Sequence, residues 1–218
     1  MKHIKLFENY FEDEEFIRLA PYFTMKPSEL KGLFQNELKK EKPNLELIKD
    51  LIDIQLVDIN AEDYNAYTPL NWAAYYDNVD LANLLLDNGA DSKTYEKYVG
   101  NALHTAAERD SIQVATLLLD KGINKEAVNF FLETPLHSAS RNNSIQVATL
   151  LLDRGARIEK KNLNKRTPLH TAIGYNNIQI ATLLLDRGAN RNAEDIHNNT
   201  PWDLATYQTK QLLPQLKP

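Results

Sequence analysis

Cysteine is absent from the 218 residues. That excludes disulfides, Cys-based metal sites and thiol nucleophiles, and it fits a reducing compartment. No apolar run approaches the roughly 18 residues that a membrane-spanning helix needs, so no membrane association is expected. Met1-Lys2-His3-Ile4-Lys5 leads into no apolar stretch, so no cleavable secretory signal is expected. The chain is read as cytoplasmic, with leaderless export into a host cell left open. Glycine is scarce at 7 residues, and no G-x-G-x-x-G, G-x-x-x-x-G-K-[ST] or G-x-S-x-G occurs. An excess of positive charge is also missing. The net charge of −5 gives no support for nucleic-acid binding.

What the chain does have is a beat of 33 residues. Thr68-Pro69-Leu70, Asn101-Ala102-Leu103, Thr134-Pro135-Leu136, Thr167-Pro168-Leu169 and Thr200-Pro201-Trp202 keep it. So do the leucine triplets that begin at Leu84, Leu117, Leu150 and Leu183, each followed by a glycine: Gly89, Gly122, Gly155 and Gly188. A fixed period of this length marks a solenoid, in which each unit buries its apolar face against its neighbours. Thr or Asn caps a helix and Pro suits its first turn, so each Thr-Pro starts one. Leu70, Ala73 and Ala74 fall on one face of that helix. The polar pairs Asp77-Asn78, Asp110-Ser111, Asn143-Ser144 and Asn176-Asn177 break it. The first residue of each pair tolerates a left-handed conformation and the second is expected to cap the next helix. That second helix, as in Ile112 to Leu119, is apolar nearly all round, and its central Leu118 should be buried. Gly supplies its left-handed end. The fold class is therefore all-α, a solenoid of stacked helix pairs.

Three of the five histidines, His104, His137 and His170, also repeat at 33. Stacked units would hold them roughly 10 Å apart, too far to share an ion whose ligands sit about 2 Å from it. No metal site, no cofactor and no catalytic residue set is expected.

These residues resemble the ankyrin repeat over roughly residues 63 to 208. Thr-Pro-Leu-His, two small residues, a Leu-rich second helix and Gly-Ala carry the resemblance. It implies antiparallel helix pairs with a finger-like loop projecting at right angles, and a structural role for the histidines in bridging units by hydrogen bonds; Asn71 stands in the first of those places. The family usually puts Gly two residues before the Thr. Here Ala66, Val99, Leu132, Lys165 and Asn198 stand there, so the fingers are expected to be less regular than the helices. The organisation read from the chain is an N-terminal helical arm over 1–26 and a repeat domain over 27–218. Within that domain 27–62 is a degenerate capping repeat, 63–194 holds four full repeats and 195–218 is a C-terminal capping repeat. Ser28 should cap the first helix of the N-terminal unit. Thr200 to Gln208 should form the first helix of the last. Leu6 to Leu19, with its Glu12-Asp13-Glu14-Glu15 block, reads either as an extra helix on the first repeat or as a docking motif.

The family's variable surface lies in the fingers and at the ends of the first helices. Eight of the ten tyrosines fall there: Tyr64, Tyr67, Tyr75, Tyr76, Tyr95, Tyr98, Tyr175 and Tyr207. Aromatics gathered on one exposed face compose a binding surface, although some could instead tuck against neighbouring fingers. Partner contacts are assigned to Tyr64, Tyr67, Tyr75, Tyr76, Tyr95, Tyr98, Phe130, Phe131 and Tyr175, with Glu108, Arg109, Arg141 and Arg166 supplying polar specificity. The segment from Arg154 to Arg166 is basic. It reads as a solvated loop or as a match for an acidic surface. The function expected is a non-catalytic, monomeric module that binds another protein by its finger and inner-helix face. A self-associating structural protein, in which the aromatic face or the N-terminal arm pairs with another copy, is the alternative. An enzyme or small-molecule binder would need a pocket the sequence does not announce.

Overall fold

The computed structural model describes residues 18–55, 57–91 and 100–217. Helices come in pairs: α1 (Pro27–Leu38) with α2 (Leu45–Asp53), α3 (Pro69–Tyr75) with α4 (Val79–Asp87), and α5 (Ala102–Arg109) with α6 (Ile112–Asp120). Then follow α7 (Pro135–Asn142) with α8 (Ile145–Asp153), α9 (Pro168–Gly174) with α10 (Ile178–Asp186), and the short α11 (Pro201–Leu204) with α12 (Tyr207–Leu212). The first members pack in one row from α1 to α11, and the second members from α2 to α10 in another. A single apolar core runs through the stack, from Leu30 and Phe34 through Leu70, Leu85, Leu103, Leu118, Leu136 and Leu151 to Leu184 and Leu216. Leu118 is fully buried.

The expected cap bond forms at Thr68, Asn101 and Thr167, whereas the Thr134 and Thr200 side chains turn to the side chains of His137 and Asp203 three residues on. The Thr68 side chain accepts the Asn71 N–H, and Asn101 accepts that of His104. Burial holds the histidines uncharged, which fits their bonds. His104 Nε2 lies 3.0 Å from the Glu133 carbonyl, His137 Nε2 3.1 Å from that of Arg166, and His170 Nε2 3.1 Å from that of Asn199. A carbonyl only accepts, so each Nε2 carries the proton and ties one unit to the next. Nδ1 then accepts the backbone N–H of the capping residue, at 3.2 Å in all three. Asn71 does the same job, donating from Nδ2 to Thr105 Oγ1 at 3.0 Å.

The second helices differ from expectation at their starts. Asn78 caps α4 by accepting the Leu81 N–H at 2.9 Å, but Ser111, Ser144 and Asn177 make no side-chain cap bond. At α6 and α8 a residue of the preceding unit takes over; at α10 the equivalent Asn143 instead donates from Nδ2 to Gln179 Oε1 at 3.1 Å. Asp77 Oδ1 accepts the Val114 N–H at 2.9 Å and Asp110 Oδ1 accepts the Val147 N–H at 2.9 Å. Asp77 and Asp110 sit at φ 51° and 56°; the left-handed turn that ends one helix aims its carboxylate at the next unit's helix.

The fingers are more regular than the missing glycines suggest. Ala66, Leu132, Lys165 and Asn198 adopt φ of 59°, 57°, 55° and 61° without being glycine. The compensation comes three residues earlier. Asp63, Asn129, Asn162 and Asp195 each turn Oδ1 back onto two backbone N–H groups of their own turn. A backbone pair closes each finger, such as Asn162 N–H to the Arg166 carbonyl at 2.9 Å. Val99 lies outside the described residues.

The ends also depart from expectation. Helix α1 begins at Pro27, so Ser28 is inside the first turn. Glu29 reaches back to the Lys26 N–H at 2.7 Å in place of a serine cap. The last first-row helix stops at Leu204 because Ala205 is extended and Thr206 caps a new helix, accepting the Thr209 N–H at 3.2 Å. Tyr207 therefore opens α12. Most of the expected Leu6–Leu19 helix lies outside the described residues. Its end is anchored, with Arg18 pairing with Glu46 at 3.0 Å and Asp50 at 2.7 Å on α2.

Candidate functional site

The side formed by the fingers and the ends of the first-row helices brings together two groups of residues. The first lies on the opening repeat. Asp63 sits at the centre, its Oδ2 accepting from Lys39 Nζ at 3.0 Å and Trp72 Nε1 at 3.3 Å. Burial alone would raise its carboxyl, but the backbone bond from Tyr67 and the Lys39 ammonium hold it below its ordinary value. Around it Tyr67, Trp72, Tyr75 and Tyr76 form a ladder of rings. Centroids are 5.1 Å apart for Tyr67–Trp72, 5.3 Å for Trp72–Tyr75 and 4.9 Å for Tyr75–Tyr76. Tilted and edge-on arrangements of this kind suit the ring quadrupoles. The Arg109 guanidinium covers the outer side, 4.1 Å from the Tyr75 centroid.

These tyrosines are not a freely exposed set. Tyr67, Tyr75 and Tyr76 are half-buried. Tyr76 donates its hydroxyl hydrogen to the Lys39 carbonyl at 2.7 Å, closing the end of α1 onto the first full repeat. Tyr64 is the exception: it is 85% exposed, with Lys39 Nζ over its ring at 4.1 Å. Tyr95 and Tyr98 lie outside the described residues.

The second group surrounds a groove of about 790 Å³ lined by Glu108, Phe131, Arg141, Arg166, Gly174 and Tyr175 among others. Its wall is a polar network that crosses units. Arg141 on α7 pairs closely with Glu133 of the third finger, and Asn162 Nδ2 of the fourth finger donates to Glu133 Oε1 at 3.3 Å. Arg166 Nε donates to the buried Asp195 of the fifth finger at 3.2 Å. Burial raises the Glu108 carboxyl, and nearby Glu133 reinforces that, against the opposing pull of Arg141. Arg141 in turn lies 5.7 Å from the exposed Tyr175 ring. Phe130 and Phe131 meet edge-on at 5.4 Å on the third finger. Since Glu108 and Arg109 are neighbours on α5, the two groups are continuous along the finger side.

Sequence reasoning overlooked Trp72, Glu133, Asn162 and Asp195, which hold the assigned residues in place. The signal available was phase: Asp63, Asn129, Asn162 and Asp195 recur at intervals of 33 or 66 residues.

The family model for ankyrin repeats (3 copies) matches over residues 39–129, 96–162 and 136–213. The chain belongs to the ankyrin-repeat family. No curated protein matches it. Ankyrin repeats generally mediate protein–protein interaction and are typically non-catalytic. In this ankyrin-repeat chain no helix among the described residues is long and apolar enough to cross a membrane.

Proposed function

We propose that this chain is a non-catalytic interaction module that binds a partner protein through its finger and inner-helix face. The observation that carries the reading is the groove of repeats two to four. Glu108, Phe131, Arg141, Arg166 and Tyr175 line one open depression of about 790 Å³. Aromatic and Arg side chains in a partly desolvated setting are the residue types that dominate binding energy at interfaces. The groove offers hydrogen-bonding groups already fixed by Glu133, Asn162 and Asp195, so little side-chain entropy is lost on docking. Tyr64, with Tyr67, Tyr75 and Tyr76 behind it, extends the contact towards the first finger. Tyr95 and Tyr98 belong to the same contact by their place in the repeat. The compartment proposed is the cytoplasm.

The half-burial of Tyr76 governs the choice of test. Tyr75→Ala with Tyr76→Ala removes a ring ladder and a hydrogen bond to α1, so loss of binding would be confounded with loss of folding. Tyr64→Ala with Tyr175→Ala is the cleaner variant, both rings being exposed. In capture from the source cell this pair is expected to reduce recovery of the main partner by about ten-fold or more, with an unchanged melting temperature. Gln146→Ala, exposed on the second-row helix α8, should leave capture intact. Full recovery with Tyr64→Ala/Tyr175→Ala would sink the assignment.

A further inference from the structure

Three consecutive fingertips display large apolar side chains to solvent. Phe130, Leu163 and Ile196 are 47%, 55% and 51% exposed, and Phe131 and Leu132 beside them are 46% and 44% exposed. Phe130, Leu163 and Ile196 share one position, immediately after the Asn129, Asn162 or Asp195 that holds the turn. They therefore form a ridge that repeats with the units. The ridge is also tied together: the Leu163 N–H donates to the Phe131 carbonyl at 2.8 Å and the Ile196 N–H to the Asn164 carbonyl at 2.9 Å. A fixed, contiguous apolar patch of this kind marks an interaction site. The flanks are cationic. Arg157, Lys161 and Lys165 are exposed and Lys160 is half-buried, and none of the four forms an ion pair among the described residues. Glu159 and Glu194 are exposed acids nearby, outnumbered by the four cations, and Lys161 Nζ donates to the Glu194 backbone carbonyl at 3.0 Å.

An occupant must therefore bring apolar side chains and carboxylates together. One segment of this chain has that composition. Leu6-Phe7-Glu8-Asn9-Tyr10-Phe11-Glu12-Asp13-Glu14-Glu15-Phe16-Ile17 interleaves aromatic and aliphatic residues with acids and contains no cation. We propose that the fingertip ridge docks residues 6–17 of a second copy of this chain. The proposal rests on the reading of the finger side as a protein-binding surface. Reach decides between the same copy and another. Arg18 is held on α2 of the first unit. The third finger lies three units on and the fifth lies five units on, at about 10 Å per unit. A fully extended stretch from Arg18 to Phe7 spans at most about 40 Å. Within one copy the segment could touch only the near end of the ridge. A second copy can lay it along the whole length.

The test uses the full chain in sedimentation velocity and a fluorescein-labelled peptide of residues 6–17 in anisotropy titrations. The mass should rise with protein concentration, and added peptide should reverse the rise. Leu163→Glu with Ile196→Glu should weaken peptide binding about ten-fold or more. Arg157→Glu with Lys161→Glu should weaken it several-fold and remove most of its salt dependence. These charge-reversal changes stay clear of the apolar ridge, so they remain informative if the first pair lowers the melting temperature. A chain that stays monomeric at every concentration overturns the proposal, whether or not the peptide binds. Association that survives both variant pairs also overturns it, since the contact would then lie elsewhere. Tyr64→Ala/Tyr175→Ala should leave sedimentation unchanged, which keeps failure here separate from failure of the partner-binding reading.

Discussion

In the first full repeat the finger-side positions hold Tyr67, Trp72, Tyr75 and Tyr76; in the third the same positions of the unit hold Glu133, Ser138, Arg141 and Asn142. The scaffold between them barely changes. Thr68 and Thr134 start the inner helix, Leu70 and Leu136 are buried, and Asp63 and Asn129 fold the finger. One end of the stack is thus closed by stacked rings and the middle by an ion pair with an amide behind it. The contrast teaches that the repeat fixes backbone and leaves the finger side free to change in kind. It also separates two ways of holding neighbours together. Rings add about 0.5–1.5 kcal/mol per pair beyond burial and tolerate imperfect geometry. A half-buried ion pair contributes little net stability but is costly to break from one side.

The largest difference concerns acid. The first repeat ties itself to the second through Asn71, which does not titrate, whereas the next two use His104 and His137. Burial lowers both histidines to about 4 from 6.5. Below pH 6.5 the unfolded chain takes up protons that the folded chain refuses, so stability falls with pH until about pH 4 is reached. Between pH 7 and pH 5 each histidine should cost about 2 kcal/mol, and the two together about 4. Glu108, raised by burial, works in the opposite sense and offsets part of this. Denaturant titrations at the two pH values should show the loss. His104→Asn with His137→Asn should flatten it, and a slope unchanged by that pair would refute the assignment. Hydrogen exchange at pH 5 should show the middle units opening before the aromatic end.

Arg141→Met comes next. It leaves the Glu133 carboxylate, 5% exposed, without its cation, and about 3 kcal/mol of stability should be lost. Adding Glu133→Gln should recover most of that. If the single variant costs under about 1 kcal/mol, water screens the pair and the contrast with the ring ladder collapses. The matching change at the other end is Tyr76→Phe, which keeps the ring and deletes one hydrogen bond to the Lys39 carbonyl. It should cost about 1 kcal/mol by thermal melt.

These differences bear on what the sequence alone could reveal. Helix starts were legible because Thr-Pro acts locally, and the units because Leu, Gly and His kept phase. The fingers were misjudged through attention to the missing glycine. The compensating Asp63, Asn129, Asn162 and Asp195 lay three residues upstream and kept the same phase. The burial of Tyr76 was not legible, because its partner is a backbone carbonyl 37 residues earlier, in a unit with no clear repeat motif. The ridge fell between these cases. Leu163 and Ile196 match Phe130 in phase but not in residue type, so a count of aromatics does not reveal them.

Helix caps give the smallest and sharpest comparison. In the first repeat Asn78 caps its own helix, accepting the Leu81 N–H at 2.9 Å. In the third, Ser144 occupies the cap position yet makes no cap bond, and Asp110 of the preceding unit accepts the Val147 N–H instead. Replacing a working cap by Ala costs about 1 kcal/mol. Asn78→Ala should therefore lose about that much, while Ser144→Ala should lose less than about 0.5 kcal/mol even though Ser144 is only 2% exposed. The two melts, run side by side, discriminate cleanly. Equal losses would mean that Ser144 caps α8 after all and that the Asp110 carboxylate adds nothing to the start of that helix. A near-zero loss for Ser144→Ala means that the carboxylate of one unit completes the helix of the next. In that case the stack depends on each neighbour for backbone hydrogen bonds as well as for its apolar core.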